Sequence, residues 1–285
     1  MSGRLPHVVI VAYGAADALA RSLDGLEGKL DVTVADNSSS QAVATVAEAH
    51  GVTYIDCGSN RGFAAAVNIA CAGLADDHRD VLLLNPDAVI APTAVAELAA
   101  FLEAPANARV AAVAPTLRDA AGAEQQVRWP FPSPLRMCAE AIGLTGVPAR
   151  RTFVVGAVLL LRRAALEEVG PFDERFFLYA EEADWQRRAG ARGWRSAFYP
   201  GVVAEHVGAG TSTNERRREL LFHASQESYI RKWYGAAGWS LYRLAACGGA
   251  TLRALLLTRA RRREAARRML LYLRGPRRCA AGEHD

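Results

Sequence analysis

The sequence predicts an α/β fold with a Rossmann-like, mostly parallel central sheet flanked by helices, followed by a helical C-terminal extension. Three observations support this fold class. Short apolar strand patterns alternate with helix patterns as far as residue 114, which favours a parallel sheet. The predicted strands end in polar residues or glycine, as expected where such sheets bind ligands. Helical spacing combined with many arginines marks the last part of the chain.

Each element follows from the alternation in turn. Apolar, β-branched runs predict strands over 7–13, 32–35, 52–56, 81–84 and 110–114. Helical spacing predicts helices over 17–26, 41–50, 62–74 and 92–102. Beyond a turn at 119–122, we expect a strand over 152–162, a helix over 180–192, and strands over 196–199 and 202–204. Further helices are predicted over 214–233 and 239–273, so we expect a catalytic domain at 1–212 and an extension at 213–285.

Composition narrows the class of protein. An apolar share of 51% indicates a globular chain. Five dispersed cysteines without a CxxC pair favour reduced thiols over disulfides or a zinc site. Neither a signal peptide nor a membrane-spanning apolar run is recognisable, so we expect a cytoplasmic protein.

Three carboxylates stand beside a run of aromatic residues: Glu181, Glu182 and Asp184. A buried cluster of like charges is costly unless a cation or a substrate proton shares the site, so the cluster suggests chemistry. The alternative is a solvated helix start, because acidic residues favour the first turn of a helix.

Two groups of residues at predicted strand ends suggest nucleotide binding. Asp36 ends the second strand and could accept a hydrogen bond from a pyrimidine N3–H or a ribose hydroxyl. Its alternative role is to cap the next helix. Gly62 opens a helix whose free N–H groups could bind phosphate, with Asn60 before it and Asn68 two turns along. The alternative there is an ordinary capped helix.

A candidate cation site follows the fourth strand. Asp87, in the segment Asn85-Pro86-Asp87, could hold a divalent cation on a diphosphate, although Asn-Pro-Asp is equally typical of a type I turn. His206 could be the second protein ligand through a neutral imidazole. The alternative for this histidine is simple packing.

The order and spacing of these motifs resemble the family 2 glycosyltransferases of the GT-A fold, and within them the rhamnosyltransferase-like enzymes. The resemblance covers roughly residues 7 to 210. Its motifs are Val8–Tyr13, Ala35–Ser38, Asn60–Phe63 with Asn68, Asn85–Asp87, Val155–Gly156, Leu159–Arg163, Val169–Asp184, Ala189–Trp194, and Tyr199–Pro200 through His206.

The resemblance implies an inverting, metal-dependent sugar transfer. It implies that Glu182 is the catalytic base, with Asp184 and Glu181 as the other candidates. Asp87 and His206 would bind Mg2+ or Mn2+. The implied nucleotide-sugar pocket comprises Ala12, Tyr13, Asp36, Asn60, Gly62, Asn68, Asn85, Asp87 and Gly156. Trp129 and Trp185 could stack on the acceptor, although core packing is the alternative for Trp185.

Two positions depart from the family pattern. Asn85 replaces the first aspartate of the metal motif, which leaves one carboxylate for the cation. Glu182 stands where an aspartate is usual, and the longer side chain displaces the base. A displacement of about 1 Å can cost on the order of a hundredfold in rate. Asp184 or Glu181 could therefore take the role, or activity could be low.

The acceptor implied by the resemblance is a glycan or a polyprenyl-diphosphate-linked saccharide, and the donor is dTDP-rhamnose. One alternative is a UDP- or GDP-sugar donor with a soluble or natural-product acceptor. Another is a catalytically weak relative that only binds nucleotide sugars. The basic tail suggests an anionic membrane surface as partner, on the inner face of the plasma membrane, with a solvated helix face as the alternative. A homodimer is compatible with the sequence.

Two other classes of protein use similar features: nucleotidyltransferases, and non-catalytic proteins that bind nucleotide sugars or RNA. A nucleotidyltransferase would carry a glycine-rich, lysine-containing loop after the first strand, and Tyr13-Gly14-Ala15-Ala16 lacks it. Nucleic-acid binding by the tail would favour aromatic residues between the arginines. Tyr272 is the one aromatic residue there, so we expect no nucleic-acid partner.

Overall fold

The computed structural model describes residues 5–74, 76–144, 149, 151–208, 215–256 and 259–281. The chain divides into two compact units. The first unit comprises Met1–Trp129, Thr152–Phe177 and Glu181–Thr213. The second comprises Pro130–Arg151, Leu178–Ala180 and Asn214–Asp285.

The first unit contains most of the strands. They are β1 His7–Ala12, β2 Val32–Asp36, β3 Thr53–Asp56, β4 Val81–Leu84, β5 Ala88–Val89, β6 Val110–Arg118, β7 Glu124–Gln125, β8 Arg128–Pro130, β9 Thr152–Val154, β10 Val158–Leu161 and β11 Arg195–His206. Its helices are α1 Ala16–Gly25, α2 Gln41–Ala49, α3 Phe63–Ala72, α4 Pro92–Glu103, α6 Arg163–Val169 and α7 Glu181–Ala191. The last residue of β8 belongs to the second unit.

A nine-stranded sheet has the order β3-β2-β1-β4-β10-β6-β11-β5, with β7 paired to β6. Strands β1 to β4 are parallel, and β6 runs parallel to β11. β10 lies antiparallel between β4 and β6. The predicted α/β class with a mostly parallel sheet flanked by helices is therefore confirmed.

The core explains why these segments are strands. β4 and β10 are apolar along their whole length, and β1 is apolar after His7. All three are buried on both faces, as in the centre of α/β sheets. Val43, Val67 and Leu98 from the flanking helices pack onto the sheet in one continuous core. This burial makes the sheet a rigid frame for the loops at its edge.

The second unit is helical. It contains α5 Pro134–Ala141, α8 Glu215–Leu256, α9 Arg259–Arg274 and α10 Pro276–Ala281. Gly235 divides α8 into two segments, with φ 67° and ψ −166°, a conformation that is essentially restricted to glycine. The Tyr272 hydroxyl lies 3.0 Å from Nδ1 of the buried His223, and the Tyr272 ring packs against Trp239. Among the described residues, no helix combines the length and apolarity needed to cross a membrane.

Three expectations about elements were wrong. The helix expected over 239–273 is two helices, because α8 ends at Leu256 and α9 begins at Arg259 and folds back on it. The apolar run 152–162 is broken at 155–157 into β9 and β10, because the chain turns at Gly156. The two strands expected over 196–204 are one strand, β11, whose pairing with β6 shifts between Tyr199 and Val203. Such an irregularity lets one strand bend without ending.

Candidate active site

Polar residues collect at the carboxyl edge of the parallel strands. The ends of β1 and β2 are in register at Ala12 and Asp36, and Asp36 is in register with Asp56 of β3. A cleft of about 530 Å³ opens beside them. It is lined by Tyr13, Gly14, Ala15, Asn37, Ser38, Ser39, Gly58, Ser59 and Asn60. Tyr13 is 44% exposed and presents its ring to this cleft, so it can stack on a flat ligand.

A larger cleft of about 1030 Å³ lies at the other edge of the sheet, around the start of β1. Several of its charged groups already pair with one another. The Arg79 guanidinium lies 2.6 Å from Asp77 and 2.7 Å from Asp31. We therefore place the candidate site at the carboxyl edge.

Asp36 is fully buried, and both of its oxygens accept hydrogen bonds. Oδ1 accepts from the Ser38 N–H at 2.7 Å and the Ser38 hydroxyl at 2.5 Å. Oδ2 accepts from the Ser40 N–H at 2.8 Å and the Tyr54 hydroxyl at 3.0 Å. An approaching base would have to displace one of these donors, so Asp36 organises the loop in this structure.

The loop at the start of α3 is tied down by side-chain amides. The Asn37 amide donates to the Gly62 carbonyl at 3.0 Å, and Asn60 Oδ1 accepts from the Gly62 N–H at 3.1 Å. The Phe63 N–H donates to the Phe177 carbonyl at 2.7 Å. Two of the N–H groups expected to face phosphate are therefore already used. Asn37 was not among the predicted site residues, and its place directly after Asp36 was the available signal.

The Asn85-Pro86-Asp87 turn meets the end of β11. His206 Nε2 lies 3.5 Å from Asp87 Oδ1 and 3.4 Å from the Asn85 amide nitrogen. Asp87 is buried and reaches this position because Ala88 pairs with His206 across β5 and β11. The structure thus brings together the two predicted metal ligands from positions 119 residues apart.

Gln125 orients His206, and sequence reasoning missed it. The Gln125 amide nitrogen donates to the His206 carbonyl at 2.8 Å, so its oxygen faces the ring and accepts from Nδ1 at 2.9 Å. With Nδ1 protonated, the neutral ring carries its lone pair on Nε2, the atom beside Asp87. This is the arrangement by which outer groups orient a histidine ligand.

These residues fit a divalent cation bound together with a phosphate. A carboxylate and an imidazole converge, and Mg2+ is commonly held by one or two protein ligands plus phosphate oxygens and water. Within the described ranges, no group of three or more His, Cys, Asp or Glu side chains is arranged to hold a metal alone. Asp87 and His206 would therefore hold a cation only jointly with a substrate.

Glu181 and Glu182 open α7 beside the turn between β9 and β10. A Cβ placed on Gly156 would lie 3.9 Å from Cβ and Cγ of Glu182, so the Glu182 side chain lies on the side of the turn where a larger residue would carry its Cβ. The next residue, Ala157, accepts a hydrogen bond from the Asn85 N–H at 2.9 Å. One turn therefore links the acidic pair to the Asn85-Pro86-Asp87 segment.

The acidic pair is unusual electrostatically. Oε2 of each glutamate is buried without a hydrogen-bond partner among the residues that the structure describes. Burial raises the pKa of Glu181 well above its ordinary value, and the neighbouring Glu182 charge adds to the effect. Burial also raises the pKa of Glu182, to about 6, although the N–H groups of Glu182 and Ala183 oppose the shift. Strongly shifted carboxyls of this kind are typical of active sites, and the pKa of Glu182 suits proton transfer near neutral pH.

The backbone of the two residues immediately before Glu181 is strained. Tyr179 and Ala180 have φ angles of 70° and 67°, in the left-handed region that non-glycine residues rarely adopt. Each such residue costs about 1–3 kcal/mol, and this kind of strain is concentrated at functional sites.

The side chains of Asp184 and Asn68 stabilise the backbone next to the acidic pair. Asp184 is fully buried and pairs with Arg188 at 3.0 Å, and that arginine also donates to the carbonyls of Val169 and Pro171. The Asn68 amide donates to the Phe172 carbonyl and accepts from the Phe172 N–H, each at 2.9 Å. Both side chains therefore hold the segment that precedes α7.

The two predicted acceptor tryptophans differ in exposure. Trp185 is fully buried, stacks on Phe172 at 5.8 Å and donates to the Gly170 carbonyl at 3.0 Å. It offers no surface to an acceptor, which corrects the stacking hypothesis in favour of core packing. Trp129 is 44% exposed on β8 and is available for stacking.

The chain is similar in sequence to a known protein family. The family model described as "Glycosyltransferase like family 2" matches residues 6–226. The chain belongs to this family. It is a glycosyltransferase of the GT-A fold, as the resemblance predicted, and it is rhamnosyltransferase-like in sequence.

Two curated relatives of this family 2 glycosyltransferase have named activities. The N-acetylglucosaminyl-diphospho-decaprenol L-rhamnosyltransferase of Mycobacterium tuberculosis is 29% identical over 96% of this chain and 99% of its own length. The low-salt glycan biosynthesis hexosyltransferase Agl10 of Haloferax volcanii is 24% identical over 64% of this chain and 60% of its own length.

Solved structures show the same fold. Glucosyl-3-phosphoglycerate synthase from Mycobacterium tuberculosis, in complex with Mn2+ and UDP-glucose, aligns with a TM-score of 0.54 at 14% identity. That alignment covers 81% of this glycosyltransferase and 79% of the synthase. Residues 1–349 of S. aureus TarS align with a TM-score of 0.51 at 13% identity, covering 93% and 80% of the two chains.

Proposed function

We propose that this glycosyltransferase transfers L-rhamnose, with inversion, from dTDP-rhamnose to a hydroxyl of a polyprenyl-diphosphate-linked saccharide. The near full-length similarity to a relative named for L-rhamnosyl transfer to a diphospho-decaprenol acceptor supports the substrate class. The observation that carries the reaction is the half-buried Glu182, whose Oε2 is buried and whose Cβ and Cγ lie near Gly156. The residue after Gly156 bonds to Asn85, beside the Asp87–His206 pair.

Glu182 is the proposed catalytic base. It takes the proton of the acceptor hydroxyl as that oxygen bonds to the anomeric carbon, while the bond from this carbon to the diphosphate oxygen breaks. A single displacement of this kind inverts the anomeric configuration. With a pKa of about 6, Glu182 is mostly ionised at neutral pH and is a stronger base than an exposed glutamate.

Glu181 and Asp184 have supporting roles in this proposal. Glu181 favours its protonated form, because burial and the Glu182 charge both raise its pKa. Asp184 is engaged by Arg188 and positions the start of α7. The longer side chain at position 182 is thus accommodated by a turn without a side chain, at Gly156.

Donor binding is assigned to the cleft at the carboxyl edge. Tyr13 stacks on the base, and Asn60 and Gly62 shape the wall beside the diphosphate. Asp87 and His206 would hold Mg2+ or Mn2+, with Asn85 beside them. Such a cation would supply Lewis-acid neutralisation of the leaving diphosphate. We place this reaction on the cytoplasmic side of the membrane that contains the lipid-linked acceptor.

Calorimetric titration with dTDP, UDP and GDP, with and without Mn2+, tests the donor class. We expect Mn2+-dependent binding of dTDP, lost in Asp87→Ala. Preferential binding of UDP or GDP would indicate a different donor nucleotide, while the proposed type of reaction would stand. Binding without turnover of dTDP-rhamnose, on lipid-linked or soluble acceptors, would identify a catalytically weak relative. No binding of any nucleotide would refute the proposed roles of Asp87 and His206.

A further inference from the structure

The second unit carries an exposed apolar face that the sugar-transfer chemistry does not use. The α8 segment after Gly235 contains one charged residue between positions 236 and 252, Arg243, and that side chain is partly buried. Its exposed positions recur every three or four residues and are uncharged. They are Ala236, Ala237, Ser240, Leu241, Leu244, Gly248, Thr251 and Leu252.

Helix α5 extends this face on one side of α8. Pro134 lies beside Gly238 and Ala141 beside Gly249, so α5 runs parallel to the second segment of α8. A Cβ on Gly249 would lie 2.9 Å from the Ala141 Cα, which shows how closely the two helices approach. Leu135, at 77% exposure, and Ile142, at 69%, lie one residue past these contact positions.

Helix α9 extends the face on the other side. The Arg243 guanidinium donates to the Leu273 carbonyl, and the Thr251 hydroxyl lies 3.4 Å from the Met269 sulfur. Helix α9 is therefore antiparallel to α8. At 100° per residue, the exposed leucines of α9 project from the same side of this three-helix layer as those of α5 and α8. We call this set the apolar face: Leu135, Ile142, Leu241, Leu244, Leu270 and Leu273.

The charge of the second unit indicates what covers the apolar face. Its sequence has 19 Arg and Lys against seven Asp and Glu, whereas the first unit has 15 against 23. A second copy of the unit would bring the same excess of positive charge against it. An anionic membrane surface neutralises that charge and accepts apolar side chains together, which is how interfacial helices bind.

We propose that the apolar face lies in the interface of an anionic membrane, with the arginines of α9 and α10 against the lipid headgroups. Leucine side chains enter the acyl boundary, and no helix has to cross the bilayer. The proposal rests on the proposed function only in that a lipid-linked acceptor requires the enzyme to work at a membrane.

Vesicle partition of the full chain tests this proposal. We expect binding to vesicles of equal phosphatidylglycerol and phosphatidylcholine, and little binding to phosphatidylcholine alone. The triple variant Leu135→Gln, Ile142→Gln, Leu244→Gln keeps the net charge and should lower the partition coefficient at least tenfold. The matched control is Val203→Gln, at an exposed valine on β11 of the first unit, which should bind like the wild type.

The other outcomes would overturn the proposal. Equal binding by the triple variant would assign the attraction to the arginines alone. Absence of vesicle binding would refute membrane docking, and self-association abolished by the same three changes would identify a second copy as the occupant. Metal-dependent dTDP binding, measured without vesicles on the same proteins, reports separately on the proposed sugar transfer.

Discussion

Gln125 holds His206 at two points, with its amide nitrogen 2.8 Å from the carbonyl oxygen and its amide oxygen 2.9 Å from Nδ1. The side chain reaches His206 across β6, because Gln125 pairs with Leu117 on one side of that strand and Ala204 pairs with Leu117 on the other. This contact fixes both the rotation of the ring and the nitrogen that carries the lone pair.

Removal of this contact should weaken metal binding. Gln125→Ala is expected to lower Mn2+ affinity in the presence of dTDP by about 10–100-fold, as for other outer-shell groups. Manganese titration followed by electron paramagnetic resonance measures the affinity directly. Gln126→Ala is the control, since the neighbouring amide bonds to the Arg128 carbonyl instead. Unchanged affinity in Gln125→Ala would argue against His206 as a ligand that needs orientation.

Loss of the Glu182 carboxylate should abolish proton transfer with little effect on donor binding. Glu182→Gln is expected to lower kcat by about 10²–10⁴-fold, the usual contribution of a general base. Steady-state kinetics with a hydroxyl acceptor, and dTDP titration for binding, separate the two effects. Asp184→Asn should instead lower the thermal midpoint Tm, because it weakens the pairing with Arg188. A larger loss of kcat in an intact, folded Asp184→Asn would transfer the role of base to that residue.

The pH dependence of the reaction follows from the raised pKa of Glu182. A base must be ionised to accept a proton, so kcat/KM should rise with pH and level off above about 6 rather than above the ordinary value of 4.5. The measurement is a pH–rate profile on wild type and Glu182→Gln. If the rise of kcat/KM with pH persists in Glu182→Gln, the titrating residue is not Glu182.

Glu181 should reduce stability at neutral pH. Its pKa is raised in the folded state, so its contribution to stability is complete below the unfolded value of 4.5 and is lost as pH rises through the folded value. Glu181→Gln should therefore raise Tm at pH 8, by about 2–4 °C for each kcal/mol regained. The gain should vanish near pH 4. Glu48→Gln, at an exposed position on α2, should change Tm at neither pH.

Gly62 is required by both its conformation and its neighbours. Its φ is +86°, and an added Cβ would lie 2.5 Å from the Phe177 carbonyl oxygen. Gly58 also has a positive φ, +74°, but a Cβ added there would have no atom within 4 Å. Gly58→Ala therefore carries the conformational cost alone. We expect Gly58→Ala to cost about 1–2 kcal/mol. Gly62→Ala should cost about 1–3 kcal/mol more from overpacking. Equal losses in urea denaturation would show that the loop relaxes around the methyl group.

The parallel half of the sheet was predictable because β1, β2 and β4 have clear apolar patterns bounded by turn residues. The antiparallel β10 was not, since a continuous apolar run contains no periodicity that marks the turn at Gly156. The convergence of Asp87 and His206 followed from the family resemblance. Gln125 could not be found that way, because a two-residue strand of polar residues leaves no pattern in the sequence.

Burial also decided between alternatives that sequence patterns left open. Trp185 and Glu181 are close neighbours in the chain, and both are buried. The Trp185 ring stacks on Phe172 and its N–H donates to the Gly170 carbonyl. Glu181 instead has one carboxylate oxygen, Oε2, without a hydrogen-bond partner among the described residues. Sequence alone carries no signal that separates the two cases.

Asn68 bonds both the N–H and the carbonyl of Phe172, so it acts as a short piece of strand pairing supplied by a side chain. The chain from Phe172 to Glu181 is therefore anchored at its start, and Phe177 is anchored again on the Phe63 N–H. Insertions or deletions in this stretch would displace the acidic pair as a whole.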